Sequence, residues 1–281
     1  MKTALIAVLA ALAFSTCFLD LDDGEAYNAR LRQDAPLQGE ELIEADIEVA
    51  VGTLQIEAGS PSQSYDLDLQ YNGAFEPRVQ YERDGGKARL EVALEGKARS
   101  VRNLKTQLNL RLNPDVPLAL QTHSGVGDSE IDLSGMSVRS LNLESGVGET
   151  RVSMLSPNRT VCEELEIRSG IGALEVTGLG NFGFKTFRFH GGIGGSELDF
   201  SGAWQHSGEV EIEVGIGGVE IRLPRSVGAE IRAPANFLSG LNLQDFTKRG
   251  NTYYSKNIDR VDKIIRFRIK TGVGGVDVGW M

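Results

Sequence analysis

The amino-acid sequence predicts an all-β protein, a parallel β-solenoid made of stacked coils of about 22 residues. One observation is the motif Gly-(Val/Ile)-Gly, which occurs six times, with the first five copies 21, 24, 22 and 23 residues apart. Another is that apolar residues recur five and three positions before each first glycine and six positions after it. In addition, no segment shows a convincing helical period of 3.6. The glycines of the predicted turns are Gly125 and Gly127, Gly146 and Gly148, Gly170 and Gly172, Gly192 and Gly194, Gly215 and Gly217, and Gly272 and Gly274.

Each coil is predicted to contain two strands that meet at its glycine pair. Counted from the first glycine, strand one covers about positions −6 to −1 and strand two about positions +4 to +8. The glycines let the backbone reverse because glycine accepts a positive φ without steric cost. The Val or Ile between them is expected to fill the inside of the corner. Since one coil buries too little apolar surface to fold alone, the coils must stack in parallel about 4.8 Å apart, with capped ends.

Residues 1–19 are predicted to form an export signal. Lys2 supplies a positive start, and Ala4–Phe14 is an apolar run too short to span the roughly 30 Å core of a bilayer. Cys17 stands where a bacterial lipoprotein signal places its acylated cysteine, so we consider it a candidate lipidation site. Ordinary cleavage after Ala13 and an uncleaved anchor are the alternatives. Residues 20–40 are acidic and poorly patterned, and we interpret them as a tether.

Residues 41–115 are predicted to form an N-terminal β cap of antiparallel character. A strand at Val79–Arg83, a turn at Asp84-Gly85-Gly86 and a strand at Ala88–Leu94 predict a hairpin. A degenerate seventh copy of the motif, Ala50-Val51-Gly52, lies in the same region. The cap is expected to cover one end of the stack, whose sheet edges would otherwise pair with other chains.

Residues 116–281 are predicted to form the solenoid repeats. Regular coils run from about residue 116 to 223, and residues 224–266 interrupt the period. Within the interruption, Phe246–Tyr254 predicts a closing hairpin around Gly250-Asn251, and residues 257–263 are expected to form at most one short turn of helix. The last coil, Phe267–Val278, is expected to close the stack.

The sequence predicts no catalytic residue, no cofactor site and no metal site. Its glycine turns lead into strands, whereas a phosphate-binding loop needs a following helix. His123 and His190 both stand two positions before a glycine pair, in a column that is polar in every coil and is therefore expected to face water. His206 lies in a linker, and one histidine per distant coil does not converge on a metal ion. Cys162 is expected to be a small buried apolar residue without a disulfide partner.

Charged residues also recur five positions after the first glycine. They are Glu130, Arg151, Glu175, Glu197, Glu220 and Asp277. This column has two interpretations: a solvated face, or a strip that weakly binds Ca²⁺ or another cationic ligand. Its carboxylates are spread along the stack, whereas polysaccharide-cleaving chemistry needs them clustered. The net charge of −10 argues against nucleic acid and anionic lipid as partners.

Three stretches resemble the bacterial toast-rack family, a β-solenoid family of largely unknown function. They are Leu110–Leu118, the Ser-Gly-Val-Gly copies that begin at Ser124 and Ser145, and Phe246–Tyr253 followed by Thr271–Val276. The resemblance covers roughly residues 40–280, and it implies no catalytic residues. The closing segment also resembles the C-terminal domain of membrane proteins that modulate envelope-stress two-component signalling. Those proteins carry several N-terminal membrane helices, which this sequence lacks.

Together these features predict an exported, non-enzymatic scaffold or interaction module of the bacterial cell envelope, periplasmic or on the outer surface. Its partner is expected to be another envelope protein, and its contact with a membrane is expected only through an N-terminal lipid anchor. Two alternatives stay open. One is a modulator of envelope-stress sensing. The other is a surface adhesin or glycan binder, which would line up exposed aromatic residues on one coil face.

Overall fold

The computed structural model describes residues 18–21, 29–72, 75–96, 106–232 and 240–281. Cys17 and most of the predicted export signal lie outside the described residues. The first strands are β1 (Phe18–Leu21), β2 (Ala29–Pro36), β3 (Leu42–Val51), β4 (Thr53–Ala58), β5 (Gln63–Tyr71), β6 (Phe75–Asp84), β7 (Lys87–Gly96), β8 (Thr106–Leu112), β9 (Leu118–Val126), β10 (Ser129–Asp132), β11 (Val138–Val147) and β12 (Thr150–Ser153). They are followed by β13 (Glu164–Ile171), β14 (Leu174–Thr177), β15 (Thr186–Ile193), β16 (Ser196–Asp199), β17 (Gly208–Leu223), β18 (Gly228–Arg232), β19 (Gly240–Leu243), β20 (Phe246–Arg249), β21 (Thr252–Ser255) and β22 (Ile264–Trp280), with short 3-10 helices at Leu179–Asn181 and Ile258–Arg260.

These strands build a parallel β-solenoid, which confirms the predicted fold class. On the first face β3, β9, β11, β13, β15, β17 and β22 pair in that order, always in parallel. On the second face β4, β10, β12, β14 and β16 pair in the same way and continue into the C-terminal halves of β17 and β22. The two long strands belong to both faces because they run through the corner at their glycine pair.

The core lies between the two faces, at the positions that the repeat predicts. In one coil, Leu141 and Leu143 on the first face and Val152 on the second are at most 1% exposed. Several later coils place aromatic residues in the core. Phe184, Phe187, Phe200, Trp204 and Phe267 form a chain of ring contacts, with centroids 5.3–6.4 Å apart. Each coil therefore buries its apolar residues against the coils above and below it.

Buried asparagines support the loops that connect strand two of one coil to strand one of the next. Asn158 donates to the carbonyls of Val138 and Phe182, at 2.7 and 3.0 Å, and its Oδ1 accepts the Val138 N–H at 2.9 Å. Asn181 makes equivalent bonds one coil further on, to the Met154 carbonyl and from the Ala203 N–H. An amide side chain suits this place because it both donates and accepts, which satisfies backbone groups that no strand pairs.

The N-terminal end differs from the prediction in two respects. Residues 42–58 are not part of an antiparallel cap, because β3 and β4 pair in parallel with β9 and β10 and form a coil of the stack. On their other side, β7 and β8 also pair with them in parallel, as the outermost coil. The antiparallel strands at this end are β1, β2, β5 and β6, and the β6–β7 hairpin has the predicted Gly85-Gly86 turn.

The predicted tether, residues 20–40, is also wrong in part. Residues 29–36 form β2, which pairs antiparallel with β5 along its whole length, and β1 pairs in turn with β2. The side chains of Ala29, Leu31 and Ala35 lie on one side of β2 and are buried in the core. In the sequence, these three apolar residues give no clear strand pattern because charged residues surround them. The strand forms because β5 offers it an open edge.

The C-terminal end corrects a further prediction, because the last coil does not close the stack. β22 lies between β17 on one side and β18 and β19 on the other, and all three pairings are parallel. β22, the last strand in the chain, therefore occupies the position next to β17, and β18 and β19 lie beyond it. The predicted hairpin forms as β20 and β21, and β21 pairs antiparallel with β18 to cover the end of the first face.

Candidate functional site

The glycine corner is the most regular surface of the molecule, and close stacking dictates its glycines. In the second glycine of each pair φ lies between 137° and 149°, a region that other residues rarely adopt. The first glycine has no such φ, so the predicted conformational reason applies only to the second. A Cβ at any first glycine would come within 2.8 Å or less of a backbone carbonyl oxygen of the neighbouring coil. Glycine is required there because the coils touch through their backbones.

The residue between the two glycines points outward, so the prediction that it fills the corner from inside is wrong. We call these six residues the ridge; they are Val126, Val147, Ile171, Ile193, Ile216 and Val273. Each is 44–67% exposed, and each lies in register with the next. The reversal at the second glycine turns this side chain away from the core. The ridge is thus a continuous apolar line about 24 Å long, at roughly 4.8 Å per coil.

A groove runs along the first face beside the ridge. Its volume is about 800 Å³, and its floor consists of small residues such as Gly146, Ser169 and Gly192. One wall is the polar column that stands two positions before each glycine pair, here called the first column. Its members are His123, Glu144, Arg168, His190, Glu213 and Lys270. These side chains lie at the surface, as predicted, and the column contains both acidic and basic residues.

The second face carries the column five positions after each first glycine, here called the second column. Its members are Glu130, Arg151, Glu175, Glu197, Glu220 and Asp277, in register from coil to coil. The last four of them border a groove of about 440 Å³ whose lining also includes Ala173, Gly195 and Gly218. Arg222 joins Glu197 and Glu220 through ion pairs of 2.8 and 2.9 Å. This column remains the more acidic of the two.

The histidines do not form a reactive centre. His123 Nδ1 lies 3.5 Å from Glu144 Oε2, and His190 Nε2 lies 3.8 Å from Glu166 Oε1. His206 lies in a loop, with Nδ1 2.9 Å from the Ser207 carbonyl oxygen. Within the described ranges, no three His, Cys, Asp or Glu side chains come together in a way that could hold a metal ion. Cys162 is fully buried, and burial raises the pKa of its thiol to about 12, which disfavours the thiolate form.

One buried polar cluster was not anticipated from the sequence. Glu40 Oε1 accepts hydrogen bonds from Ser64 Oγ at 3.1 Å, Tyr81 Oη at 2.9 Å and Arg83 Nε at 2.5 Å. Burial alone would raise the pKa of Glu40, but the bonds from Arg83, the Gln38 N–H and Tyr81 outweigh it and lower the pKa to about 2. The carboxylate therefore stays charged and links the loop before β3 to strands β5 and β6. No local motif signals it, because its side-chain partners are 24 to 43 residues away.

None of the helices in the described part of the chain has the length and apolar character needed to cross a lipid bilayer. The candidate lipidation site, Cys17, lies outside that part, so it stays a prediction. Of the other predicted site residues, all twelve glycines are at the corner. The described residues that carry recognition potential are thus the ridge, its grooves and the two flanking columns.

The comparisons with known proteins identify a family over more than half of the sequence. The family described as "N-terminal domain of toast_rack, DUF2154" matches residues 23–177. The curated proteins show no significant match to the chain.

Solved structures with a similar fold include proteins from Clostridium, Bacteroides and Parabacteroides. A candidate cell adhesion protein from Clostridium sporogenes ATCC 15579 is 21% identical, with a TM-score of 0.45 over 89% of this chain and 99% of that chain. A candidate adhesin from Bacteroides fragilis NCTC 9343 is 12% identical, with a TM-score of 0.35 over 89% of this chain and 97% of that chain.

Proposed function

We propose that this chain, which belongs to the toast-rack family, is a non-enzymatic interaction module of the bacterial cell envelope that docks a protein partner along its glycine corner. In this proposal the protein is exported and held near a membrane by a lipid on Cys17. The β-solenoid acts as a rigid support that presents the ridge at a defined spacing.

The observation that carries the proposal is the ridge. Most soluble proteins scatter their exposed apolar residues singly, whereas a contiguous apolar patch usually marks an interaction site. Here six of the nine large apolar residues that are exposed in the described chain fall on one line. β-branched side chains on a stacked backbone also have little conformational freedom to lose, so they bind at a low entropic cost.

The flanking columns support a protein partner rather than a glycan. Sugar-binding surfaces stack aromatic rings on the sugar, but every aromatic side chain whose burial the structure describes is buried or half-buried. A protein surface with apolar residues and charges of both signs would match the ridge and the columns better. Modulation of envelope-stress sensing is compatible with such docking, with a sensor protein as the partner.

Site-specific photo-crosslinking in intact cells tests the proposal. A photoreactive residue is placed at Ile171 on the ridge and, as a matched control, at Leu155, which is 67% exposed on another side of the coil. We expect a discrete covalent adduct from position 171 and none from position 155. If both positions give the same diffuse products, or if neither gives any, the corner is not a docking surface. The mass of the adduct identifies the partner.

A further inference from the structure

We infer that the ridge docks onto a second copy of this chain, in parallel, about a two-fold axis that runs along the ridge. This inference rests on the proposed function, since it identifies the protein that the corner binds. Three features of the corner carry it: the shape of the surface beside the ridge, the pairing of the charges that flank it, and the direction in which the N-terminal ends point.

The shape of the corner is complementary to itself. The groove of about 800 Å³ lies beside the ridge on the first face, and its floor consists mainly of Gly and Ser, with Val214 and Thr271 at one end. A two-fold axis parallel to the ridge exchanges the left and right sides of the corner and keeps each coil at its own height. The ridge of each copy can then lie in the groove of the other, with Val and Ile side chains above glycine backbone.

The charges of the two columns are complementary under the same symmetry. In this arrangement the first column of one copy faces the second column of the other, coil by coil. Three of the six facing pairs join opposite charges: Glu144 with Arg151, Arg168 with Glu175, and Lys270 with Asp277. Two more place a histidine, whose ring can donate a hydrogen bond, opposite a carboxylate: His123 with Glu130 and His190 with Glu197. The exception is Glu213 with Glu220, where Arg222 lies 2.9 Å from Glu220. No ion pair within the described chain joins the members of these pairs across its own corner.

The opposite orientation fits less well. A two-fold axis perpendicular to the ridge would place each column against the same column of the partner, in reverse order. Aligned over its whole length, the first column would place Glu144 against Glu213. In the second column, Glu130 would face Asp277 and Glu175 would face Glu197. Since like charges across an interface oppose association, the observed charges favour the parallel arrangement.

The size of the contact predicts a weak dimer in solution. A strip about 24 Å long and roughly 15 Å wide buries about 400 Å² per copy, which is half of the usual 800 Å² per partner. The parallel arrangement also places both N-terminal ends on the same side. Two copies held by lipids on one membrane would therefore meet at a high effective concentration without any change of orientation.

Cysteine crosslinking tests the arrangement with the full chain carrying Cys17→Ala, in which the remaining Cys162 is buried. Val126 lies near one end of the ridge, so Val126→Cys meets its own counterpart only in the parallel dimer. We expect mild oxidation of concentrated protein to convert Val126→Cys into a disulfide-linked dimer at least about tenfold faster than the exposed control Leu155→Cys. Equal rates would overturn the inference. A dimer from Ile171→Cys but not from Val126→Cys would overturn the parallel orientation.

Charge reversal provides an independent test by sedimentation equilibrium of the same full chain. Glu144→Arg and Arg151→Glu each place like charges opposite one another twice per dimer, so each should weaken the dimer about tenfold. The double variant restores opposite charges and should return the dissociation constant to within about threefold of the parent. Additive weakening in the double variant would contradict the proposed pairing. A monomeric chain whose ridge crosslinks to a different protein in cells would refute the dimer and leave the docking function intact.

Discussion

Glycine-to-alanine substitutions can separate the two reasons for glycine at the corner. Four positions form a matched set. Gly195 has an ordinary φ and nothing within 4 Å of an added Cβ, and Gly135 has φ +77° but equally open space. Gly170 has an ordinary φ, but its Cβ would overlap the Gly146 carbonyl oxygen. Gly172 combines φ +145° with an overlap onto the Gly148 carbonyl oxygen.

The expected loss of stability follows from these geometries. Gly195→Ala should change the free energy of unfolding by less than about 0.5 kcal/mol, and Gly135→Ala should cost about 1–2 kcal/mol for its left-handed backbone. For Gly170→Ala the two coils must move apart by about 1 Å, which weakens two or three ladder bonds worth about 1 kcal/mol each. The nearest of them, from Gly148 N–H to the Ile171 carbonyl, is 3.0 Å long. Gly170→Ala should therefore lower the free energy of unfolding by about 2–3 kcal/mol.

Gly172→Ala should be the most damaging of the four, because a backbone strain of about 1–3 kcal/mol adds to the same separation of coils. Since a domain of this kind is stable by only about 5–15 kcal/mol, this variant should be close to unfolding. Urea unfolding followed by the fluorescence of Trp204, which is buried and stacked on Phe200, measures the series. The decisive comparison is between the two positions with ordinary φ. If Gly170→Ala is no less stable than Gly195→Ala, the backbone contact between coils is not what requires glycine.

Three further predictions concern the described clusters and the N-terminus. Because the pKa of Glu40 is lowered from 4.5 to about 2, its charge contributes stability that is complete above pH 4.5 and lost as the pH falls towards 2. This contribution is about 3 kcal/mol, so Glu40→Gln should flatten the dependence of the urea midpoint on pH in that window; an unchanged slope would contradict the assignment. Asn158→Ala should cost about 2–4 kcal/mol in thermal or urea unfolding because it leaves buried backbone groups unpaired, whereas the half-buried Asn142→Ala should cost less than about 1 kcal/mol. Metabolic labelling with a palmitate analogue should mark the parent protein and not Cys17→Ala; a label that persists in the variant, or that never appears, would remove the lipid anchor from the proposal.

The repeat within the sequence was sufficient to predict each regular coil. Side chains such as Leu165 and Val176 are buried where the period places them, and Cys162 is buried as expected. Both hairpins form at their glycine turns as well. These features depend on contacts between residues that are close in sequence, or that repeat at a constant spacing. Such contacts leave a periodic pattern that can be read directly.

The ends of the stack and the direction of the ridge were decided only by the tertiary structure. β22 pairs between β17 and β18, and β3 pairs between β7 and β9, although neither order follows the chain. Ile171 faces solvent because the backbone reverses at Gly172, whose φ is +145°. Alternation within a segment determines which residues form a strand and which side chains can be buried together. It does not determine which strand becomes the neighbour, because that choice depends on the edges that the rest of the folded chain leaves open.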